Sequence, residues 1–291
     1  MKKALLVGNG INMLESRLSW NTMLEGIIDN MGQNGSISFE DKPYPLLYEE
    51  IFTKGIRHAN YDEKKIKEEI FTLTNTLTHN DYHQKLMGLP IENILTTNYD
   101  YCLEDAYKGI NLNKNHERKY SLFRKGTLGN KNFWHIHGEL KQKDSLMLGY
   151  EHYAGALQKM RNYMTSRISV QGKKYKSPFI RGKTDFEKED HYSWIDIFLR
   201  DEIHIVGFGF GFDEIDLWWL LSYRNRIMLE KKVKCGKIYY HYFTKGEESE
   251  QSKLDMLKVL GVELKAIELD RSGGTWQYKS AWDTFLEEMK K

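Results

Sequence analysis

The sequence predicts an α/β fold: a doubly wound, mostly parallel sheet with helical insertions. Three observations carry this. Six short apolar runs recur along the 291 residues, each cut off by glycine or polar residues, as buried parallel strands are. Patterns with helical spacing lie between them, and strand–helix alternation is the mark of doubly wound sheets. Four of the runs end in glycine-rich or polar clusters, the chemistry expected at the carboxyl edge where such sheets meet their ligands.

The first run, residues 4–7, is ALLV and stops at Gly8-Asn9-Gly10. Trp20, Leu24, Ile27 and Ile28 then form one helical stripe, and residues 63–77 alternate Lys/Glu with Ile, Phe and Leu at helical spacing. The EKKIKEE stretch within them reads as an exposed helix face held by i,i+4 pairs. Strands follow at 93–97 and 133–136, then at 203–206. Residues 213–230 make a long helix with adjacent Trp218 and Trp219, which cannot both face one core and so suggest core on one side and a subunit interface on the other. Strands at 238–243 and 262–269 flank a helix carrying Leu254, Leu257, Val259 and Leu260, and the last helix carries Trp276, Trp282, Phe285, Leu286 and Met289.

Residues 20–89 and 151–199 separate the strands and read as mostly helical insertions in a single domain spanning 1–291. Four prolines and no repeat leave no linker to divide the chain. With 40% apolar residues a large core can form, and a net charge of +2 gives no overall nucleic-acid signal. Two cysteines, Cys102 and Cys235, build neither a disulfide framework nor a four-thiolate zinc site, which suits a reducing cytoplasm. The start MKKALLV imitates a signal peptide, but its apolar run is too short, and no window approaches the roughly 18 apolar residues of a membrane span. The expectation is a cytoplasmic protein without membrane contact.

Each strand end admits a ligand reading and a plainer one. Gly8-Asn9-Gly10 lets backbone N–H groups approach an anion such as a pyrophosphate, or is a tight strand-to-helix turn. Thr96-Thr97-Asn98-Tyr99-Asp100 places a polar cluster on the ligand edge, or supplies a helix N-cap. His135 and His137, spaced to share one side of a strand, lack a nearby third metal ligand; His137, just before Gly138, is placed as a general base because an unperturbed imidazole titrates near neutrality. Gly207-Phe208-Gly209-Phe210-Gly211 permits close backbone approach but does not fit the usual dinucleotide fingerprint, and Asp213 caps the helix that follows.

In the order GNGIN, TTNYD, HIHG and GFGFGF, these strand ends resemble the sirtuin superfamily. The likeness is closer to the sirtuin-like branch of bacterial phage-defence systems, through Ser19-Trp20 with Leu24 and through residues 146–153, LMLGYEHY. The resemblance implies NAD as substrate, with no prosthetic group and no metal. It places Gly8, Asn9, Gly10, Asn12 and Thr97 against the dinucleotide, with Gly207 and Gly209 toward its adenosine half. It makes Asn98, His137 and Asp100 the catalytic set. Deacylation is disfavoured: the zinc ribbon of the deacylases is missing, and Leu14-Glu15-Ser16-Arg17-Leu18 stands where they carry Pro-Asp-Phe-Arg. The implied reaction is NAD⁺ hydrolysis at the nicotinamide–ribose bond, with Asp100 on the carboxamide, Asn98 on the ribose hydroxyls or water, and His137 as base. The alternative is a binding sensor that never cuts. The resemblance further implies a homo-oligomer or a separate partner such as a hexameric DNA-translocating ATPase. Eight Lys/Arg and no acid lie within 159–183, interleaved with Tyr163, Tyr175 and Phe179, either a phosphate- or acid-binding patch or a solvated loop over the cleft.

Overall fold

The computed structural model describes residues 2–16, 18–33, 35–107, 117–170, 172–176, 193–231, 233–246, 250–272 and 274–291. The strands are β1 (Lys3–Val7), β2 (Asn93–Thr96), β3 (Gly126–Leu128), β4 (Lys131–His135), β5 (Arg167–Val170), β6 (Lys173–Lys176), β7 (Glu202–Val206), β8 (Ile238–Thr244), β9 (Val262–Glu268), β10 (Arg271–Ser272) and β11 (Thr275–Trp276). The helices are α1 (Trp20–Asn30), α2 (Tyr44–Lys54), α3 (Glu63–Thr74), α4 (Asp81–Met87), α5 (Cys102–Tyr107), α6 (Tyr150–Thr165), α7 (Trp194–Arg200), α8 (Ile215–Lys231), α9 (Gln251–Val259) and α10 (Tyr278–Lys290). Short polar side chains start several of them: Ser19 accepts from the Thr22 N–H at α1, Asp62 from Lys65 at α3, and Asn80 from Tyr82 and His83 at α4.

All six apolar runs enter one sheet of order β3-β4-β2-β1-β7-β8-β9, in which β3 alone runs antiparallel. The chain builds outward from β1 through β2 to β4, returns to β7 on the other flank, and continues through β8 to β9. The order therefore reverses between β1 and β7, and the crevice beyond their carboxyl ends is the topological switch point. Strand alternation sends Ala4, Leu6, Leu95 and Trp134 to the face covered by α6 to α9. Leu5, Val7, Ile94 and Phe133 pack on α4, α5 and α10. A third cluster joins α1 to α3 with Tyr99, Tyr101, Leu140, Leu146 and Leu148, capping the carboxyl edge.

The insertion at 151–199 is not mostly helical throughout. α6 ends at Thr165, and the β5–β6 hairpin follows with Arg167 opposite Lys176 and Val170 opposite Lys173. Alternation explains it: Ile168 and Tyr175 pack on the core, whereas Lys173 and Lys174 are exposed. Of the aromatics in the basic stretch, Tyr163 is fully buried and donates its hydroxyl to Asp196, and Tyr175 stacks on Phe123, so both serve the core. Phe179, Arg181 and Lys183 lie outside the described residues. Trp218 packs on Phe210 and Phe212, and Trp219 stacks on Tyr223. Among the described residues no helix is long and apolar enough to cross a membrane.

Candidate functional site

At the switch point two strand-end turns touch through their backbones. The Gly8 N–H donates to the Val206 carbonyl at 3.1 Å and the Gly10 N–H to the Gly207 carbonyl at 2.7 Å. A Cβ at Gly8 would lie 2.5 Å from the Gly207 oxygen, and one at Gly10 2.8 Å from it. Glycine is required here by turn-on-turn contact, and these two N–H groups are engaged by protein rather than held out to an anion. The chain then enters a 3-10 turn, Asn9–Leu14, in which Asn12 is buried. Its amide donates to Asn9 Oδ1 at 2.8 Å and to the Asp100 carboxylate at 2.9 Å. That leaves its oxygen for His83 Nε2 at 3.0 Å, so His83 carries its proton on Nε2 while Nδ1 accepts from the Asn80 N–H. Burial holds His83 neutral, pushing its pKa down to about 4. Asp100 uses its other oxygen to accept from the Cys102 N–H at 2.9 Å, which starts α5. It thus braces the start of α5 and also lines the cavity described below.

β2 ends in a knot of side chains. The Thr96 hydroxyl donates to the Val7 carbonyl and accepts from the Asn98 N–H, fixing the bend that follows the strand. The Asn98 carbonyl accepts from His135 Nδ1 at 2.8 Å, and His135 Nε2 donates to Glu104 at 2.8 Å. With both nitrogens donating, His135 is an imidazolium. Burial opposes that charge, but Glu104 and Glu139 outweigh it and lift the pKa to about 9. The Asn98 side chain makes no hydrogen bond among the described residues, and its amide nitrogen is buried without a partner.

His135 and His137 do not share a side. β4 stops at His135, and the chain turns through Gly138, at φ 103°, where a Cβ would lie 2.3 Å from the Ser145 carbonyl. His135 meets Glu104 of α5, on one face of the sheet. His137 meets Asp216 of α8, on the other, with Nε2 to Oδ2 at 3.0 Å, and its Nδ1 stands 3.7 Å from Glu214 Oε2. The two histidines therefore cannot ligate one ion. His137, Glu214 and Asp216 do bring donor atoms within 4.8 Å of one another. Burial disfavours a positive charge on His137, but Asp216 and then Glu214 raise its pKa to about 9. Burial lifts Glu214 to about 7, aided by Asp216 and Asp213 and opposed by His137. At neutral pH His137 holds its proton, so it is not the free base the sequence suggests.

These elements enclose a cavity of about 470 Å³. One wall carries Asn9, Gly10, Thr97, Asn98, Asp100, His137, Gly207 and Gly209; Tyr153, Asp213 and Glu214 complete its polar end. The helical cap covers it with Trp20, Met23, Leu24, Tyr44 and Tyr48. Asn98 and His137 thus line one space, whereas Gly8 and Asn12 stand behind the wall. Gly207, at φ 62°, would drive a Cβ into Trp282, but nothing lies within 4 Å of where a Cβ on Gly209 would sit. Sequence reasoning missed Glu214 and Asp216, and read Asp213 only as a cap. Their signal was present, since three acids follow the last glycine of GFGFGF within five residues. His83 had no such signal, because its partner is 71 residues away.

A model of the SIR2-like domain family matches residues 92–226. The match runs from the start of β2 into α8 and so includes Asn98, His137, Gly207 and the acids beside them. No curated protein matches the chain.

Proposed function

We propose that this chain, a member of the sirtuin-like superfamily through its SIR2-like domain, is an NAD⁺ glycohydrolase that splits the nicotinamide–ribose bond with water to give nicotinamide and ADP-ribose. One observation carries the reading: Asn98 lines the same cavity as His137, at the switch point of a doubly wound sheet, and its buried amide nitrogen has no partner among the described residues. A buried donor with no protein acceptor is suited to a ligand oxygen. NAD⁺ already carries a cationic leaving group, so the site needs no general acid. It needs to place the ribose and the water, and to accommodate positive charge on the sugar.

The side chains divide that work. Asn98 donates to a ribose hydroxyl or to the attacking water. His137, anchored by Asp216, offers Nδ1–H to the same group, because Glu214 at 3.7 Å lies beyond hydrogen-bond reach of that nitrogen. Asp100 retains lone pairs for the carboxamide N–H groups of nicotinamide even with both oxygens engaged. Gly209, which faces open space, gives the adenosine half close approach to backbone. Two cysteines build no zinc ribbon, which supports hydrolysis over deacylation.

Uncontrolled loss of NAD⁺ would poison the host cell. We therefore place the activity in a cytoplasmic phage-defence effector, gated by self-association or by a separate partner such as a hexameric ATPase. Equal NAD⁺ consumption by the isolated chain and by a co-purified assembly would remove the gating.

The test is incubation of pure protein with NAD⁺, with products identified by mass spectrometry and Asn98→Ala as control. Wild type is expected to release free ADP-ribose, and the variant to lose about 10²–10⁴-fold in rate. Because the Asn98 side chain makes no hydrogen bond among the described residues, thermal stability should hold. Intact NAD⁺ with wild type, or an Asn98→Ala variant of normal rate, would refute the reading; binding without turnover would make the protein a sensor.

A further inference from the structure

We infer that Glu214 is a second catalytic residue of this cavity: its carboxylate faces the positive charge that develops on the ribose and takes the proton of the attacking water. The inference rests on the NAD⁺-cleavage reading and assigns the base that reading lacks.

Position singles out Glu214 among the acids. Asp216 is 1% exposed, does not line the cavity and uses Oδ2 to hold His137. Glu250 lines the cavity but is paired with Lys253. Asp213 lines it too and acts on His137, but more weakly than Asp216 and Glu214 do. Glu214 lines it, keeps a fifth of its side chain exposed, and stands beside His137 and Tyr153, whose hydroxyl donates to Oε2 at 3.3 Å. Its Oε1 accepts no hydrogen bond among the described residues. The backbone beneath is fixed: the Glu214 N–H donates to the Gly211 carbonyl at 3.1 Å, and its carbonyl accepts the Trp218 N–H at 3.0 Å in the first turn of α8. A carboxylate anchored at a helix start, lining a cavity and with one oxygen accepting no hydrogen bond among the described residues, is a preorganised charge rather than a solvated one.

The chemistry has a place for it. As the C1′–N bond breaks, its electron pair goes to the nicotinamide nitrogen and the ribose becomes oxocarbenium-like. Carboxylates serve such transition states in glycoside cleavage. Water oxygen then bonds to C1′, and one water proton passes to Glu214 and on to solvent, so that NAD⁺ and water yield nicotinamide, ADP-ribose and one proton. His137 is unsuited to accept it because Asp216 keeps it protonated. The groups facing Glu214 are His137 beyond β4, Tyr153 on α6, Tyr99 beyond β2, and Asp213 and Asp216 on its own segment. Two neighbouring titratable groups with separated affinities mark an assignment of roles: Glu214, titrating at about 7, as acceptor, and His137, at about 9, as donor.

The experiment is the pH profile of NAD⁺ hydrolysis by wild type, Glu214→Gln and Glu214→Asp, with NAD⁺ binding and thermal denaturation of each. Wild-type kcat should rise through about pH 7 and fall near about pH 9. Glu214→Gln should bind NAD⁺ as wild type does, lose about 10²–10⁴-fold in kcat and lose the rising limb. A glutamine variant that keeps either the rate or that limb overturns the inference while the NAD⁺ reading stands. Should the glutamine variant not fold, Glu214→Asp decides: lowered kcat with the limb retained supports the role, and full kcat refutes it. Wild type that leaves NAD⁺ intact removes both readings at once.

Discussion

His135 and His137 sit two residues apart, each is nearly inaccessible, and each is raised to about 9 by carboxylates that outweigh the cost of burial. Their surroundings differ in one respect. Both nitrogens of His135 are engaged, by the Asn98 carbonyl and by Glu104, inside the layer behind the strand ends. His137 has one nitrogen engaged by Asp216, and its ring borders the cavity. The same electrostatics thus acts in a fully engaged pair in one region and beside a cavity in the other. A perturbed pKa alone does not tell the two histidines apart; the cavity beside His137 does. The contrast extends outward. Asn12, His83 and Gly8 belong to the sealed layer, and Asn98, Glu214 and Gly209 to the residues that line the cavity.

The largest effect should separate the two histidines by readout. His137→Gln keeps an amide to meet Asp216 and should lower the rate of NAD⁺ hydrolysis by about 10²–10⁴-fold, with a modest change in melting temperature. His135→Ala leaves Glu104 buried and unpaired and should cost about 3–5 kcal/mol in stability, with a smaller loss of rate in the protein that remains folded. Denaturant unfolding and NAD⁺ turnover on both variants measure this. If His135 controls rate more than His137 does, the division between the engaged histidine and the one beside the cavity is wrong.

Next in size is the pH dependence of stability. The unfolded chain gives up these imidazole protons near 6.5, whereas the folded protein keeps them to about 9. Their contribution, on the order of 3 kcal/mol each, is fully present below about pH 6.5 and is lost as pH rises through about 9. His83 has the opposite sign: neutral in the fold, it contributes above about pH 6.5, and this is lost as pH falls through about 4. Unfolding midpoints measured from about pH 6.5 to 9 should fall, and more shallowly in His135→Gln. An unchanged slope in that variant would show that the sealed histidine is not charged.

The sheet was legible in the sequence because each strand is a short apolar run ended by residues that cannot continue it, and the strand ends carried their polar groups with them. What depended on the chain changing direction was not. Alternation put His135 and His137 on one side, but β4 stops at His135 and Gly138 turns the chain, so each meets a different helix. The β5–β6 hairpin was hidden because its lysines suggested a charged surface while Ile168 and Tyr175 carried the period of two. Glu214 and Asp216 were visible as acids, but only the packing of α8 against the turn after β4 brings them to His137. His83 lies in what reads as an insertion, and its role exists only once α4 docks under the first turn.

The smallest predicted effect is also the sharpest test of the boundary, because it compares a glycine of the turn after β1 with one of the turn after β7. A Cβ at Gly8 would press on the Gly207 carbonyl at 2.5 Å and on the Phe208 backbone at 2.6 Å, atoms that move only if two strands move. Gly8→Ala should therefore cost about 1–3 kcal/mol, as overpacking does. A Cβ at Gly209 meets nothing within 4 Å. Gly209→Ala should change stability by less than about 0.5 kcal/mol, yet it adds a methyl group at a residue that lines the cavity, so KM for NAD⁺ should rise while kcat is retained. Melting temperature and steady-state kinetics on the pair check this. A Gly209→Ala variant with unchanged KM would mean that the substrate does not reach the glycine turn after β7. The cavity would then be occupied from its His137 end alone, and the occupied part would be shorter than the lining residues make it.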